Sequence, residues 1–484
     1  MTGAARSRSR LRGVARSDPR FQGLSALGVK PAVAAALERW TTEGSDEDVV
    51  HIDALQFAKR HGLDETDVID GFVHAAKVGL YEMTWNLVCP GCGGILEGGK
   101  NLKSVRKETY GCSMCVDKYE PSLDEMVEVS FTVSPTVRRV PAHDPDSLPF
   151  WDYYRLVYYG TVLEVPRGEE WSSLVADVSL EADEIPPHGK VIFGLQAPPE
   201  FLILFDPVTH GTTLIDVKGE PTRERTELRV ALTQEGSTPE SVEIRPGPLR
   251  LTIENKTDHR ALPSLFRAND RLHDFLKDRK PFLTAKRLFT NQTFRDVYRT
   301  EMIEIDQRLR ITSLTVLFTD LKGSTDLYEN VGDLAAYDLV RSHFGVLGEV
   351  VRSHAGAVVK TIGDAVMATF PTPEQGLAAA IDMRTAMDAF RGGTTGRNPP
   401  IKIGLHEGPC VAVVSNERLD YFGQTVNVAA RVQRLAGPRG IVTTAAVAGR
   451  PEVVDLLAAR GLHSTARAAS LQGIRGEMTV YEIA

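Results

Sequence analysis

The sequence predicts a multidomain protein whose C-terminal domain belongs to the mixed α/β (α+β) class. Three observations lead to this fold class. At 484 residues the chain is too long for one core and should divide into roughly three or four domains. Residues 314–318 form an almost wholly apolar run, as expected for a buried central strand. Upstream, helical spacing, two Cys-x2-Cys pairs and short β-like runs follow one another, which predicts a series of smaller modules.

Composition and charge narrow the class of protein. With 25% charged residues and a net charge of −8, nothing global indicates a nucleic-acid partner. No stretch approaches the ~20 consecutive apolar residues that cross a bilayer, so we expect no transmembrane segment and a cytoplasmic protein. Residues 1–27 form a basic arm without the apolar core of a secretory signal. A solvated, disordered tail is the favoured interpretation, and contact with acidic lipid or nucleic acid is the alternative.

Residues 28–88 are predicted to form a helical, winged-helix-like domain. Two helices should flank the turn at residues 61–64, with Asp64 capping the second. Val68, Phe72 and Ala76 recur at helical spacing and should face a small core. The second helix is rich in acidic residues, so repulsion from phosphates disfavours DNA binding, and a structural or protein-interaction role is favoured.

Two Cys-x2-Cys pairs define the next segment, residues 89–124. Nineteen residues separate Cys92 from Cys112, and the outer members are Cys89 and Cys115. Four thiolates suit tetrahedral zinc, and four cysteine ligands leave no open coordination position. The pattern predicts a zinc ribbon with a structural Zn²⁺ ion; a redox switch or a chance spacing is the alternative.

The centre of the chain alternates β-like runs with turns and then becomes helical. Residues 125–262 have the texture of a β-sandwich or barrel, which could be a plain scaffold or could bind a small regulator. Residues 263–310, including Leu265 and Phe266, are predicted to form a helical connector.

Acidic residues follow predicted strands in the last segment, residues 311–484. Asp320 follows the apolar run by two residues, at a strand end that is well placed to hold metal. Residues 358–362 and 365–370 read as a hairpin whose turn carries Gly363 and Asp364.

Three motifs in this segment carry a resemblance. They are Phe-x-Asp-x-x-Gly at 318–323, Lys-Thr-Ile-Gly-Asp at 360–364, and Asp-x-x-Gly-x-x-Val-Asn-x-Ala-x-Arg at 420–431. Residues 311–484 resemble the catalytic domain of class III adenylate and guanylate cyclases, which implies a ferredoxin-like plan. The N-terminal half resembles, more weakly, the regulatory region found before some bacterial cyclases. Three blocks in the correct order are more specific than a lone glycine motif.

The resemblance implies a metal site. Asp320 and Asp364 match the family's metal-binding carboxylates, together with the backbone of Leu321. Paired carboxylates suit two Mg²⁺ or Mn²⁺ ions in each active site, because a phosphoryl-transfer site needs cations beside the triphosphate.

The hydrogen-bond groups of two predicted site residues indicate which purine base the site binds. Adenine offers an acceptor at N1 and a donor at N6, which call for a cation and a carboxylate. Lys360 and Asp420 supply this pair. Guanine has the opposite polarity and would leave both side chains mismatched, so ATP is the predicted substrate.

Further contacts follow from the resemblance. Asn427 and Arg431 stand four residues apart and should project from one helix face; in the family these positions orient the ribose and stabilise the transition state. Arg475 matches a basic residue near the family's C-terminus, and Lys402 stands where many members have arginine. Both are expected to contact the triphosphate.

The predicted function is that of an adenylate cyclase which makes cyclic AMP and pyrophosphate and is regulated through its N-terminal half by an unknown ligand or protein. Because the family draws metal-binding and base-selecting residues from opposite chains, a homodimer is implied. The alternatives are a guanylate cyclase, a catalytically weak sensor or scaffold with this fold, and a nucleic-acid-binding regulator.

Overall fold

The computed structural model describes residues 18–112, 114–115, 117–299, 301, 304, 308–321, 332–390, 400–474 and 476–484. Most of the predicted basic arm and the predicted triphosphate contact Arg475 therefore lie outside the described residues. The chain divides into two compact units, and each contains two stretches of sequence. The first unit is Met1–Thr84 with Ser130–Phe282, and the second unit is Trp85–Val129 with Leu283–Ala484.

Helices open the first unit. They are α1 (Arg20–Gly23), α2 (Pro31–Glu43), α3 (Ala54–His61) and α4 (Glu65–Lys77). The predicted cap is present, since the Asp64 side chain accepts a hydrogen bond from the Asp67 amide at 3.0 Å. Val68 and Phe72 are fully buried as predicted. Ala76 is only half-buried, because Ala75 takes the buried position in the last turn.

Five short strands and two helices come next along the chain. They are β1 (Tyr81–Val88), β2 (Ile95–Gly99), β3 (Tyr110–Cys112), β4 (Asp117–Tyr119), β5 (Val127–Val133), α5 (Phe150–Tyr153) and α6 (Gly168–Val178). A three-stranded sheet has the order β2-β1-β5, and β3 pairs with β4 in a hairpin. A π-helical turn at Tyr154–Tyr158 continues α5.

A two-layer β-sandwich occupies the rest of the first unit. Its strands are β6 (Ser179–Ala182), β7 (Lys190–Ala197), β8 (Phe201–Phe205), β9 (Thr212–Val217), β10 (Thr226–Thr233), β11 (Gly236–Thr238), β12 (Ser241–Ile244), β13 (Gly247–Asn255) and β14 (Ser264–Arg267). One sheet has the order β11-β10-β13-β7 and the other β12-β9-β8-β14-β6. Both contribute to one core, with Phe193 and Leu251 from the first sheet and Leu202 and Leu265 from the second.

Two sequence expectations need correction here. The sandwich begins at Ser179 and not near residue 125, because β5 belongs to the separate three-stranded sheet and helices α5 and α6 follow it. Leu265 and Phe266 were predicted in the helical connector but lie in strand β14, where both are buried between neighbouring strands. Their apolar pair fits a short buried strand as well as a helix.

The second unit contains an eight-stranded sheet. Its strands are β15 (Leu309–Leu321), β16 (Ala357–Ile362), β17 (Ala365–Phe370), β18 (Ile401–Ser415), β19 (Arg418–Phe422), β20 (Ile441–Thr444), β21 (Ser464–Ser470) and β22 (Glu477–Ile483). The order is β16-β17-β15-β18-β20-β22-β21, and β19 pairs with β18. All pairings in this list are antiparallel except that of β18 with β20.

Helices cover both faces of this sheet. Helix α7 (Asp270–Lys277) belongs to the first unit. The helices of the second unit are, in chain order, α8 (Ala285–Phe289), α9 (Gln292–Tyr298), α10 (Asp333–Ser353), α11 (Pro373–Ala389), α12 (Gln424–Arg434), α13 (Ala445–Ala448) and α14 (Pro451–Ala459). Helices α10, α11 and α14 share one core, and α12 belongs to another. The succession β15, α10, β16, β17, α11, β18 is the predicted ferredoxin-like β-α-β-β-α-β plan. No helix in the described ranges is long and apolar enough to span a bilayer.

Candidate active site and metal centre

Asp320 and Asp364 meet at one end of the large sheet. Asp320 is the penultimate residue of β15, and Asp364 follows Gly363, whose φ of +63° forms the tight turn between β16 and β17. Thr319 Oγ1 accepts a hydrogen bond from the Val366 amide at 3.0 Å and so joins the two strands beside the carboxylates. Burial and the neighbouring Asp364 charge raise the pKa of Asp320. The sheet therefore holds two carboxylates that repel each other.

The environment of these carboxylates fits a cation site. Oδ2 of Asp364 is buried and has no hydrogen-bond partner among the residues described. Lys402 lies directly opposite Asp320 in the β15–β18 register, and its charge offsets part of the rise in the Asp320 pKa that burial and Asp364 cause. Leu321 pairs with Ile401 at the end of the same ladder. An unpartnered carboxylate oxygen beside a second carboxylate is the donor set that hard divalent cations take.

Lys360 and Asp420, which the sequence predicts to select the purine base and which are called the base-selecting pair below, are brought together from different strands. Nζ of Lys360 lies 2.5 Å from Oδ2 of Asp420. The other oxygen, Oδ1, accepts a hydrogen bond from the Tyr421 amide at 2.8 Å, which orients the carboxylate. The side chains of Lys360 and Asp420 are 39% and 16% exposed, so a ligand can reach both.

Asn427 and Arg431 lie on α12, as the four-residue spacing predicts. This helix packs closely on β18, since a Cβ at Gly404 would fall 2.2 Å from the Gln433 amide nitrogen. Asn427 is exposed and Arg431 is half-buried, with its guanidinium against Gly473. Close packing of α12 on the sheet therefore presents two polar side chains on a fixed helix face.

Sequence reasoning missed His343 on α10. Its side chain is fully buried, and burial lowers its pKa to about 4, while the charge of Asp364 acts in the opposite direction. Nδ1 lies 3.3 Å from the Met387 sulfur. A lone histidine on a helix carries no motif, so only the fold reveals that it lies near the carboxylates.

Exposed apolar side chains accompany the base-selecting pair. Ile362 is 52% exposed and Phe422 is 72% exposed. Each follows its member of the pair by two residues on the same strand, so Ile362 shares a strand face with Lys360 and Phe422 with Asp420. Large exposed apolar groups beside a polar site are typical of an interface.

The four predicted zinc ligands form a second site. The sulfur atoms of Cys89, Cys92, Cys112 and Cys115 all lie within 4.8 Å of one another. Cys89 and Cys115 sulfurs are 3.7 Å apart, and those of Cys92 and Cys112 are 3.6 Å apart. Tetrahedral zinc with Zn–S bonds of about 2.3 Å separates its ligands by about 3.8 Å, so the donor set fits. The Gly91 amide donates to the Cys89 sulfur at 3.2 Å, as expected for a metal-bound thiolate.

Comparison with known protein families assigns both parts of the chain. A family described as the adenylate and guanylate cyclase catalytic domain matches residues 307–484. A family of unknown function, DUF5939, matches residues 17–296, which is more than half of the chain. The chain belongs to the DUF5939 family. Its C-terminal region is a class III adenylate or guanylate cyclase catalytic domain, called the cyclase domain below.

Curated relatives of the cyclase domain include proteins named for either nucleotide. Guanylate cyclase 2G of Mus musculus is 32% identical over 182 residues, which are 35% of this chain and 16% of that protein. Adenylate cyclase 2 of Rhizobium meliloti (strain 1021) is 31% identical over 131 residues, which are 25% of this chain and 36% of that protein. The chain thus spans well under half the length of these relatives.

Solved structures are also similar to part of this DUF5939 protein. The catalytic core of a rhodopsin-guanylyl cyclase with converted specificity, in complex with ATPαS, has 21% identity and a TM-score of 0.33, covering 37% of this chain and 98% of that one. The adenylyl cyclase CyaB from P. aeruginosa has 22% identity and a TM-score of 0.32, covering 37% of this chain and 96% of that one.

Proposed function

We propose that the protein is an adenylate cyclase that converts ATP to 3′,5′-cyclic AMP and pyrophosphate. The observation that carries the choice of ATP is the contact between Lys360 and Asp420. The ammonium can donate to adenine N1 and the carboxylate can accept from the N6 amine. With guanine the same groups would face an N1 donor and an O6 acceptor in the wrong order, and buried polar mismatches are costly.

Asp320 and Asp364 would hold two Mg²⁺ or Mn²⁺ ions, with the backbone of Leu321 as a further ligand. The unpartnered Oδ2 of Asp364 supports this assignment. When bound, such ions supply Lewis-acid chemistry, which acidifies the ribose 3′-hydroxyl and neutralises the phosphates.

The remaining residues bind and orient the nucleotide. In the reaction the 3′-oxygen forms a bond to the α-phosphorus, the bond to the β-phosphate oxygen breaks, and pyrophosphate leaves while the hydroxyl proton goes to solvent. We assign orientation of the ribose to Asn427, and donation to the developing phosphoryl charge to Arg431, where one preorganised donor can contribute roughly 2.7–4 kcal/mol. Lys402 and Arg475 are proposed to contact the triphosphate.

We further propose a homodimer with two sites at its interface, each combining the metal carboxylates of one chain with the base-selecting pair of the other. The exposed side chains of Ile362 and Phe422 support this proposal, because they would lie against the second copy.

The test is incubation of the purified full chain with Mn²⁺ and either ATP or GTP, with the product identified by mass. Cyclic AMP formed much faster than cyclic GMP is the expected result. A guanylate cyclase remains the second candidate, favoured by the relatives named for GTP, and faster formation of cyclic GMP would establish it. No product from either nucleotide, with metal bound and the dimer present, would leave a sensor or scaffold.

A structural zinc ion on the four cysteines is part of the proposal. Such a site suits a reducing compartment, so we also propose a cytoplasmic location. The metal would hold together a segment whose hairpin β3–β4 has only three residues in each strand.

Regulation through the first unit is proposed from a cavity there. Its volume is about 770 Å³, within the range of small-molecule sites, and Trp40, His51, Arg60 and Arg155 contribute to its wall. Nδ1 of His51 and Nε of Arg155 are buried without a partner among the described residues. A thermal-shift screen of small metabolites, repeated with Arg60→Met, tests this; shifts that survive the substitution would place the ligand elsewhere.

A further inference from the structure

A bulge in strand β16 lies directly before Lys360. The pairing of β16 with β17 shifts by one residue between Val358 and Lys360. The Val358 amide donates to Oε1 of Gln292 on helix α9, at 2.7 Å. The Gln292 amide is itself oriented, since its Nε2 donates to Asp296 at 2.9 Å. Because a bulge redirects the side chains around it, Gln292 fixes the direction in which Lys360 leaves the sheet.

Helices α8 and α9 together hold β19, the strand that carries Asp420. Nη2 of Arg295 on α9 donates to the Leu419 carbonyl at 2.5 Å. The Arg295 guanidinium also lies 5.8 Å from the ring centroid of Tyr421. The Tyr421 hydroxyl donates to the Phe289 carbonyl at the end of α8, at 3.2 Å. Both neighbours of Asp420 in the chain are therefore held by α8 and α9.

The bond from Tyr421 to Phe289 is buried, and that from Arg295 to Leu419 is partly buried. Tyr421 is 3% exposed, and burial raises its pKa to about 12, so the hydroxyl keeps the proton that it donates to Phe289. Nη1 of Arg295 is buried as well and has no partner within the described ranges. Water cannot easily replace these bonds, so they resist displacement of the strand more than exposed bonds would.

We propose that Gln292 and Arg295 are positioning residues that set the purine selectivity of the cyclase domain. They hold Lys360 and Asp420 at the separation and direction that the adenine edge requires, although neither contacts the nucleotide. This inference rests on the proposed function, because it takes the base-selecting pair as the groups that contact adenine.

Changes at Gln292 and Arg295 should affect the selectivity between ATP and GTP more than they affect the rate of the chemical step. Discrimination needs both hydrogen bonds of the base-selecting pair at once, and a displacement of about 1 Å weakens both. The carboxylates Asp320 and Asp364 lie on β15 and in the β16–β17 turn, and Thr319 ties those strands together without help from α9. Loss of the α9 contacts should therefore act first on recognition of the base.

The experiment measures kcat and KM for ATP and GTP with Mn²⁺, using the full chain and the variants Gln292→Leu and Arg295→Met. The ATP-to-GTP ratio of kcat/KM should fall about tenfold in each variant, mainly through KM for ATP. Arg295→Lys retains a donor for the Leu419 carbonyl and should recover part of the ratio. The control is Arg384→Met on helix α11. It removes a guanidinium hydrogen bond to the Ile483 carbonyl and should leave the ATP-to-GTP ratio within about twofold of the wild-type value.

Amide hydrogen exchange supplies a readout that does not depend on activity. Exchange should accelerate at Val358 in Gln292→Leu and at residues 419–422 in Arg295→Met, and stay unchanged in Arg384→Met. Folded variants with unaltered selectivity would overturn the inference even if exchange accelerates. If the wild-type protein makes no cyclic nucleotide, the proposed function fails, whatever the variants do. If every variant binds ATP in preference to GTP as strongly as the wild type does, the inference alone is overturned. If Arg295→Met does not fold, Gln292→Leu and Arg295→Lys decide.

Discussion

Asp364 illustrates at the residue scale how a binding site opposes stability. One of its oxygens is buried without a partner in the described part of the chain, and its charge adds to burial in raising the pKa of the neighbouring Asp320. Folding thus brings together two like charges that the unfolded chain keeps apart and solvated. A site of this kind makes physical sense if a cation completes it.

The substitution Asp364→Asn should separate activity from stability. We expect cyclisation to fall by about a thousandfold or more, because the amide removes the charge of a proposed metal ligand. The thermal midpoint of the metal-free protein should stay the same or rise, since repulsion with Asp320 is relieved. Activity assays and thermal unfolding in chelator check both outcomes. A variant that loses its fold along with its activity would contradict this account.

Sequence reasoning located Lys360 and Asp420 but could not show how they are held. Residue type and motif suffice to nominate a cation and a carboxylate for a purine. In the proposed arrangement their contact depends on a bulge in β16 and on side chains of α9, and Gln292 of that helix lies 66 residues from Val358 in the sequence. His343 likewise has no local signal. The meeting of Lys360 and Asp420 was therefore predictable, and the contacts that support it were not.

At the scale of elements, Asp124 holds the irregular part of strand β15 by hydrogen bonds. Strand β15 has an irregularity between Ile311 and Leu314 that frees the amides of Thr312 and Ser313 from pairing with β18. The Asp124 carboxylate accepts both amides at about 3.0 Å and the Thr312 hydroxyl at 2.6 Å. Its side chain is only 6% exposed. The segment after the cysteine site is thus bonded to the first strand of the cyclase domain.

The substitution Asp124→Ala should destabilise the second unit. Three donors would lose a charged acceptor in a buried place, which we expect to cost about 3 kcal/mol. For a unit of this size the thermal midpoint would fall by about 6–12 °C. Glu120→Ala is the matched control, since its ion pair with Arg310 is exposed and should contribute less than about 1 kcal/mol. Equal shifts in both variants would contradict the role given to Asp124.

The cysteine site yields a prediction about metal content. The purified protein should contain one zinc ion per chain, and a chelator should make residues 89–119 sensitive to protease. Cys112→Ser should lose the metal. Cys410→Ser is the control, because burial raises the pKa of Cys410 to about 12 and that thiol lies outside the cluster. Retention of zinc by Cys112→Ser would refute the assignment of ligands.

Local sequence patterns predicted most of the helices and strands. They did not predict how these helices and strands group into compact units. The β-sandwich within residues 125–262 and the Asp64 cap were predicted from short-range alternation and capping chemistry. The predicted segments at 89–124 and 311–484 nevertheless fall within one compact unit. The bonds from Asp124 to Thr312 span 188 residues, and no window of sequence shows such a contact.

At the scale of the whole molecule, the proposed site shared by two chains predicts complementation between inactive chains. A mixture of Asp320→Ala and Asp420→Ala chains should regain about a quarter of the activity expected for two sites per dimer, because half of the dimers are mixed and each has one intact site. Mixing Asp320→Ala with Asp364→Ala should restore nothing, since both changes affect the same half of each site. Activity of isolated monomers after size separation would contradict the two-chain arrangement.

The division of the second unit into two stretches of sequence has a consequence for biosynthesis. Trp85–Val129 leaves the ribosome long before strand β15, with the whole of Ser130–Phe282 made in between. At about 5–20 residues per second, the interval is roughly 10–40 s. During that time the cysteine segment lacks the strand that Asp124 will bind. Early capture of zinc would give this nascent segment a structure of its own until its partner arrives.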